Sequence, residues 1–553
     1  MGCPPHDAAR DDAGEKGRYD RRVWASAGAV FVLLVTLVVG VSSQGGFYST
    51  TRLHLALGLG LALALTLTAG LDALQTLRRP PVLTGLLLAA WILAVSALHG
   101  ALDHGLPAAG LAAGIVAVYM IVPCLLQADR EMLAASLVWL GGLVALTSWS
   151  GVVLHLHRWA WEGQGLWRAS GAITYPNATA AILVSLALWS LAQMPLPPGR
   201  GQGTATSAAF GPAWIVPALT TVMLTAAAAT LSRGGALALL VGGAVLLLLA
   251  GTATRRAAVP PMVGATVSFA ALVPCLRSGQ PPQPLLATIG LVVGTMIGTR
   301  ADENARARQQ RFLTTVTTAV GLKPRDRGTV VPRALWIGAG TAIAAGVVVL
   351  TDGFEHSLRQ IVDARVLTGP SYRMEAAGAA LERITDSPWI GAGPGEGQVT
   401  WTTSSGVSRT LIFLHDEYLQ VVLELGVLTG FLVLLHLAAG AASAWKAGTP
   451  REGSAAPPQL RRSARAGGLA AFAAFAVHSA VDFTWHLPAL PLVVATLLAF
   501  ALPAAEHAHS PGPASGSVPD DIDVRDDIAD VSEGSSNNSG KSSITYSTHP
   551  PMT

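Results

Sequence analysis

Arginine and histidine side chains stand out in one polar segment of the chain, residues 351–417, which lies between apolar runs of membrane length. The segment contains Arg373, a glycine-rich stretch at 391–397 and His415. Its five arginines face nine acidic residues, so it is net negative and is no general binding surface for polyanions. An anion bound there must therefore meet particular arginines. The segment is the first candidate for a reaction site.

Two further arginines lie at the edges of apolar runs. Arg168 precedes a run that opens ITYPNATAA and contains Asn177, and Arg233 lies in TLSRGG with almost no loop around it. A charge within hydrocarbon is expensive, about 2.5–3.5 kcal/mol at a helix centre. We therefore expect an anionic partner or a water-filled cavity near these arginines. For Arg233 alone, a snorkelling or helix-capping role explains the sequence equally well.

Polar residues also open and interrupt the last apolar runs. The run after the polar segment starts with His415, Asp416, Glu417 and Tyr418. A lone histidine at such an interface is usually a polar anchor. Further on, His478 and Asp482 are four residues apart, so they share one face of a helix and can interact. An ionisable pair within a span is a functional candidate, and a structural hydrogen bond between helices explains it equally well.

The glycine-rich stretch at 391–397 is interpreted as a tight turn. It lacks the Lys-Ser/Thr pair of a P-loop, and Glu396 occupies the third glycine position of G-x-G-x-x-G. No cluster of histidine, cysteine and carboxylate residues has metal-ligand spacing, so we expect no metal site. The scattered Cys3, Cys124 and Cys275 predict no disulfide framework.

Composition defines the elements that must position these residues. The 553 residues are 51% hydrophobic and only 12% charged, and the mean hydropathy is +0.48. These values predict an all-α polytopic membrane protein with about 12 to 14 transmembrane helices. Windows of about 20 residues place the candidate spans at 23–41, 53–71, 82–98, 107–126, 132–154, 173–193, 212–231, 234–251, 260–276, 285–299, 334–350, 418–444, 467–484 and 487–505. The spans at 260–276 and 285–299 are the weakest.

The distribution of lysine and arginine predicts the orientation. With the N-terminus in the cytoplasm, most of the 36 basic residues fall in inner connections, as the positive-inside rule requires. The predicted regions are a cytoplasmic segment (1–22), transmembrane helices with short loops (23–350), an extracytoplasmic loop with amphipathic helices (351–417), C-terminal transmembrane helices (418–505) and a disordered cytoplasmic tail (506–553). One amphipathic helix of the loop is expected around 354–365 and a second around 374–384, which stops at the Asp-Ser-Pro sequence of residues 386–388.

Several short motifs, taken in order, resemble the O-antigen ligase and O-antigen polymerase superfamily of membrane glycosyltransferases. They are a helix-opening PN after an arginine, an S-R-G turn, and a large late loop with PWIGAGPG and H-D-E-Y-L-Q-x3-E-L-G-x3-G, followed by V-H-S-x-V-D-F. The resemblance covers about 160–500 and is strongest at 371–430. That family typically has asparagine after the loop histidine, whereas this chain has Asp416 after His415.

The resemblance implies an enzyme of the cytoplasmic membrane that acts on the outer face. It would pass a glycan from an undecaprenyl diphosphate carrier to an acceptor hydroxyl on a glycan, lipid, wall polymer or protein, with inversion and without a metal or other cofactor. The catalytic residues would be His415, as general base, and Arg373. Arg168, Arg233 and Arg373 would bind the diphosphate. Asn177, Asp416, Glu417, Tyr418, His478 and Asp482 would support them.

Other functions stay open. A polymerase that joins lipid-linked repeats would use the same residues, and the sequence does not separate it from a ligase. A flippase for lipid-linked glycans or another transporter requires a charged path through the spans, and this chain has few charges there. A sensor or scaffold would be expected to carry a folded cytoplasmic domain, which is not visible. No feature indicates nucleic-acid binding.

Overall fold

The protein is a bundle of helices in the computed structural model, which describes residues 8–68, 72–194, 212, 214–300, 371–403, 406–447 and 458–504. The predicted span at 334–350, the predicted amphipathic helix at 354–365 and the predicted tail at 506–553 lie outside this part of the chain. The helices of the first half are α1 (Ala8–Ser42), α2 (Ser49–Thr68), α3 (Asp72–Gln75), α4 (Pro80–Leu98), α5 (Leu102–Cys124), α6 (Gln127–Val153) and α7 (Pro176–Gln193).

The second half continues the bundle. Its helices are α8 (Ile215–Ala229), α9 (Arg233–Leu249), α10 (Thr252–Leu272), α11 (Pro284–Arg300), α12 (Ser371–Asp386), α13 (Glu417–Ala447), α14 (Pro458–Ser479) and α15 (Ala489–Ala499). Within the described ranges, seven helices are long and apolar enough to cross a membrane: α1 through its residues 20–42, α2, α4, α5, α6, α10 with its short extension to Leu276, and α13. The helical membrane class is therefore supported, while the larger number of spans stays a prediction.

Two short β-hairpins interrupt the helices, and the sequence analysis did not predict them. Strands β1 (Ala160–Gly163) and β2 (Leu166–Ala169) are antiparallel, with Gly163 opposite Leu166. Gln164 and Gly165 form the two-residue turn and both have positive φ, 57° and 73°, as the tightest hairpin turns require. Strands β3 (Val399–Thr402) and β4 (Ser408–Leu411) form the second hairpin, inside the polar segment.

Small residues bring α9 and α14 into close contact. A Cβ on Gly242 would lie 2.7 Å from the Cβ of Ala474 and 2.8 Å from the carbonyl oxygen of Ala470. Such small residues let helix backbones approach each other in membranes, where dispersion replaces the hydrophobic effect as the packing force. The N-terminus of α9, which carries Arg233, is thereby held beside the end of α14, where His478 lies.

Several connections that the orientation analysis placed outside lie together at one end of the bundle in the described part of the chain. His99 Nε2 lies 3.3 Å from the carbonyl oxygen of Ile390, and Arg52 donates to the carbonyl oxygen of His486 at 3.3 Å. We call this end the site end; it is formed by residues 43–48, 99–101, 154–175, 230–232, 273–283, 387–403, 406–416 and 480–488. At the opposite end, Arg130 in the first turn of α6 donates to the carbonyl oxygen of Phe500, the residue after α15. The charge of Arg79, which precedes α4, acts on Arg130 there. The orientation of the bundle in a membrane stays a prediction.

Candidate functional site

Asp482 is the centre of a hydrogen-bond cluster at the site end. It lies in the turn after α14 and is only 1% exposed. Its carboxylate accepts the hydroxyl of Tyr175 at 2.8 and 3.0 Å and the backbone N–H of Phe483 at 2.9 Å. The Nδ1 of His415 lies 3.2 Å from the same carboxylate. Residues from three separate parts of the sequence therefore converge on one buried acid.

The cluster keeps Asp482 ionised. Burial by itself raises the pKa of this carboxyl, but the hydrogen bond from His415, the nearby imidazoles and the Tyr175 hydroxyl outweigh it, and the pKa lies below its ordinary value. A carboxylate only accepts hydrogen bonds, so the proton of a neutral His415 belongs on Nδ1. The imidazole lone pair is then on Nε2. This arrangement makes a histidine a base, because the acid orients the ring and stabilises its protonated form.

A polar chain connects this cluster to Arg168 on β2. Asn177 donates from Nδ2 to the Tyr175 hydroxyl at 3.0 Å and accepts from Arg168 Nη2 at 2.8 Å. Arg168 also donates from Nε to the carbonyl oxygen of Thr230 at 2.8 Å, and its guanidinium lies 5.6 Å from the ring centre of Trp161. The arginine is 8% exposed. The structure therefore uses Arg168 to hold β2, the turn after α8 and the start of α7 together.

Arg373 reaches the same cluster from the polar segment. Its Nη1 donates to the carbonyl oxygen of Val481, the residue before Asp482, at 3.1 Å, and its charge acts on the Tyr175 hydroxyl. Arg373 lies in the first turn of α12 and is half-buried. The helix ends at Asp386, as predicted from the Asp-Ser-Pro sequence.

Helix α12 packs through alanines and leaves larger apolar residues outside. Ala376 and Ala380 are buried in a small core with Leu423, whereas Met374 and Leu381 are 74% and 56% exposed. Only part of the apolar surface of this amphipathic helix is therefore buried against the rest of the protein. Its exposed residues are available to a membrane surface.

Arg233 differs from the other two arginines in being exposed. It is the first residue of α9, whose cap is Ser232, with a side chain that accepts from the backbone N–H of Gly235 at 3.1 Å. The neighbouring Gly234 lies against Val481 and His478, because a Cβ there would be 2.9 Å from one and 3.4 Å from the other. Arg233 therefore starts its helix at the edge of the Asp482 cluster.

His478 lies beneath the cluster and is completely buried. Its Nε2 is 3.9 Å from Asp482, beyond hydrogen-bond distance, and neither ring nitrogen has a hydrogen-bond partner among the described residues. The expected interaction between His478 and Asp482 is therefore a close approach, and Asp482 bonds to Tyr175 and His415 instead.

The start of α13 is fixed by the residues that follow His415. Asp416 caps the helix, accepting from the backbone N–H of Leu419 at 3.1 Å, and burial raises the pKa of its carboxyl. Tyr418 donates to the carbonyl oxygen of Ala476 in α14 at 3.0 Å. These contacts fix the position of His415 relative to α14.

Glu417 forms a second buried contact with the turn that carries Asp482. Its carboxylate, 1% exposed, accepts the backbone N–H of Trp485, and both of its oxygens lie 3.3 Å from His486 Nδ1. Burial by itself lowers the pKa of His486, but the Glu417 carboxylate outweighs it and the pKa lies above its ordinary value. Residues 415 and 417 therefore both hold the turn at 480–488.

The glycine-rich stretch is a tight turn, as predicted, packed against a break in α13. Gly426 has φ 82° and ψ 170°, which interrupts the helix and frees backbone groups. The N–H of Gly393 donates to the carbonyl oxygen of Glu424 at 2.9 Å, and the N–H of Val427 donates to the carbonyl oxygen of Pro388 at 2.8 Å. The N–H of Ala392 likewise donates to the carbonyl oxygen of Leu423 at 2.8 Å. The helix therefore occupies the N–H groups of Ala392 and Gly393, which removes the nucleotide-cradle interpretation.

Sequence reasoning missed the aromatic residues of the site. Phe483 stacks on Tyr175, with ring centres 4.9 Å apart, and on Phe413 at 5.7 Å, and it lies 5.3 Å from the His415 ring. The only signal in the sequence was that these residues lie close to predicted site residues. Tyr175 is two residues before Asn177, and Phe413 is two residues before His415. Neither spacing reveals that the rings meet.

The residues described by the structure contain no group of three histidine, cysteine or carboxylate side chains arranged to hold a metal ion. No protein-family model matches this chain, and no curated protein matches its sequence at a significant level.

Proposed function

We propose that this protein transfers a glycan from an undecaprenyl diphosphate carrier to an acceptor hydroxyl at the site end. The observation that carries the proposal is the contact between His415 Nδ1 and buried Asp482, with Arg373 bonded to the residue beside it. A base and a cation are thereby placed together at one end of an apolar bundle. A lipid-linked substrate would bring its diphosphate to such an end of the bundle.

The proposed reaction has one displacement step. His415 Nε2 takes the proton of the acceptor hydroxyl while its oxygen attacks the anomeric carbon of the glycan. The bond from that carbon to the diphosphate oxygen breaks, and undecaprenyl diphosphate leaves with the bonding electrons. Direct attack inverts the anomeric centre. The proton stays on the imidazole, where the Asp482 carboxylate stabilises the positive charge.

Arginines stabilise the leaving group in this mechanism. The guanidinium of Arg373 and that of exposed Arg233 contact the diphosphate, whose negative charge grows as the bond breaks. Arg168 was expected to contact the diphosphate as well, and two of its donors, Nε and Nη2, bond to Thr230 and Asn177. We therefore give Arg168 a positioning role. With two cations on the diphosphate, we expect activity in the presence of a chelator.

The resemblance to O-antigen ligases and polymerases supports the same reaction. Its main departure is Asp416 in place of asparagine, and both residue types cap helices well. Because Asp416 acts here as the cap of α13, the difference leaves the backbone at His415 in place. The excess of lysine and arginine in the connections of the opposite end favours an extracytoplasmic site.

The acceptor decides between a ligase and a polymerase, so the experiment supplies both kinds. The purified protein is reconstituted with a carrier-linked glycan, alone or with a non-lipid acceptor. The measured quantities are free undecaprenyl diphosphate and the molecule that gains sugar. Elongated carrier-linked glycan indicates a polymerase, and a modified second acceptor indicates a ligase.

Matched variants test the assigned residues in the same assay. We expect His415→Ala and Arg373→Ala to abolish release of undecaprenyl diphosphate. His104→Ala and Arg409→Ala remove exposed residues of the same types and should keep it. Full activity in both purified site variants would disprove the assignment. Movement of intact carrier-linked glycan across the bilayer without release would instead indicate a flippase.

A further inference from the structure

Two arginines lie together at the opposite end of the bundle, far from the proposed reaction. Arg79 immediately precedes α4, and Arg130 lies in the first turn of α6. The charge of Arg79 acts on Arg130, and both side chains are half-buried. Like charges in such a place destabilise each other unless an anion lies between or beside them.

The described part of the chain gives neither arginine a carboxylate partner. Arg130 Nη2 donates to the carbonyl oxygen of Phe500 at 3.0 Å, and its guanidinium lies 6.0 Å from the ring centre of the same residue. Arg79 Nη1 is buried and has no hydrogen-bond partner among the described residues. A buried donor without an acceptor costs about 1–3 kcal/mol, and more on a charged group. Arg79 Nη1 therefore lacks a hydrogen-bond acceptor within the described part of the chain.

The two acidic residues adjacent to Arg130 in the sequence form hydrogen bonds elsewhere. Asp129 accepts a hydrogen bond from the Ser26 hydroxyl, and Glu131 accepts from Gln127 Nε2 at 2.8 Å. Both lie next to Arg130 in the sequence, yet they form their hydrogen bonds with other residues. These two carboxylates therefore do not pair with the arginines, and an anionic ligand can.

Apolar surface continues from the arginines along α4. Leu83 is one helical turn from Arg79 and 53% exposed, and Leu86 and Leu87 on the next turn are 42% and 53% exposed. A ligand that bonds to Arg79 therefore has an exposed apolar track beside it. A phosphate with attached acyl chains has this shape, and free phosphate does not use the track.

We infer that Arg79 and Arg130 bind the phosphate of an anionic phospholipid, whose acyl chains lie along the exposed leucines of α4. Guanidinium forks donate paired hydrogen bonds to phosphate oxygens, and basic pockets between helices at the inner leaflet recognise anionic headgroups. The neighbouring Arg78 is exposed and belongs to the ordinary basic surface of this end. The inference uses only this end of the bundle and is independent of the proposed glycan transfer.

The test measures lipid retention and thermal stability of the full chain. The protein is purified in detergent, supplied with phosphatidylglycerol or phosphatidylcholine, and examined by native mass spectrometry for lipid that stays bound. Its thermal midpoint is measured with each lipid and with inorganic phosphate. The variants are Arg79→Gln with Arg130→Gln, and Arg78→Gln as the control with equal chemistry on the exposed neighbour.

We expect wild-type protein and Arg78→Gln to retain phosphatidylglycerol and to gain thermal stability from it, and the double variant to lose both effects. Equal retention by the double variant would overturn the inference, as would an equal loss in Arg78→Gln, which would indicate general surface charge. Equal stabilisation by inorganic phosphate would overturn the lipid assignment. If the double variant does not accumulate, lipid retention and the thermal midpoint are measured on Arg79→Gln alone, with the same expected and contradicting results.

Discussion

His415 and Asp482 are 67 residues apart in the sequence, yet Nδ1 of the histidine lies 3.2 Å from a carboxylate oxygen of the aspartate. The histidine ends the polar segment and the aspartate lies in the turn after α14. The contact therefore joins the two polar regions of the last third of the chain. It also determines the tautomer of the histidine, since an ionised carboxylate accepts only.

Replacing Asp482 with asparagine tests this contact. The amide of asparagine can donate as well as accept, so it no longer selects the Nδ1–H tautomer or stabilises the imidazolium. We expect kcat for release of undecaprenyl diphosphate to fall by about 10²–10⁴-fold, the usual contribution of general base catalysis. Asp386→Asn, at the exposed end of α12, is the control. An unchanged kcat in purified Asp482→Asn would remove His415 from the role of base.

Arg373→Lys tests the diphosphate contact. Lysine keeps the charge but loses the planar fork that matches phosphate oxygens. If the guanidinium stabilises charge that develops on the leaving group, kcat falls by about 10²–10³-fold while the KM for the carrier changes less. Arg409→Lys on exposed β4 is the matched control. A change confined to KM would show that Arg373 binds the ground state and the transition state equally and does not stabilise the developing charge.

Tyr175→Phe separates the hydroxyl from the ring. The stack on Phe483 remains, whereas Asp482 loses a donor and Asn177 loses an acceptor. A hydrogen bond to a charged group contributes about 1.5–3 kcal/mol, so we expect a lower thermal midpoint and reduced turnover. Tyr48→Phe removes an exposed hydroxyl and should change neither quantity. A wild-type thermal midpoint in Tyr175→Phe would show that the hydrogen bonds between Asp482, Tyr175, Asn177 and Arg168 do not contribute to stability.

Gly426→Ala tests the break in α13. At φ 82° and ψ 170° a side chain is strained by about 1–3 kcal/mol. The added Cβ would also lie 2.2 Å from the carbonyl oxygen of Trp389, so the glycine-rich turn must move. We expect a lower thermal midpoint and loss of activity. Gly243→Ala in α9 has no atom within 4 Å of the new Cβ and should be tolerated.

The contact between Glu417 and His486 predicts a pH dependence of stability. The folded pKa of His486 is raised, so its stabilising contribution is complete below the ordinary value of 6.5 and is lost as the pH rises through the folded value. We expect the apparent thermal midpoint of wild-type protein to fall as the pH increases above 6.5. The fall should be smaller in Glu417→Gln, which keeps an acceptor for Trp485 but removes the charge. A wild-type midpoint independent of pH in this range would contradict the contact.

Much of this architecture follows from local features of the sequence. Apolar runs of sufficient length predict helices because a backbone in lipid must satisfy its own hydrogen bonds. The end of α12 was predicted from Asp-Ser-Pro, and the turn at 391–397 from its glycines, because both signals act within a few residues. The orientation of the bundle stays a prediction from charge placement.

Other features could not be predicted in this way. Each strand of the β1–β2 hairpin has only four residues and lies in an aromatic loop. Strands of this length are too short to show a periodic pattern. The break at Gly426 has no local cause, since α13 reads as one apolar run, and it is stabilised by hydrogen bonds from a distant turn. Arg168 and Arg233 looked alike in the sequence, but packing buried the first and exposed the second.

The sequence by itself determined the helical membrane class, the two ends of the bundle and the short set of polar residues from which a site can be built. Each of these depends on hydropathy and charge along neighbouring positions. Only the tertiary structure decided that Asp482 bonds to His415 and Tyr175 and merely approaches His478. It also decided that Arg168 is occupied internally while Arg373 lies beside Asp482. These outcomes depend on how α7, α12, α13 and α14 pack, and contacts between residues far apart in the chain are set by that packing.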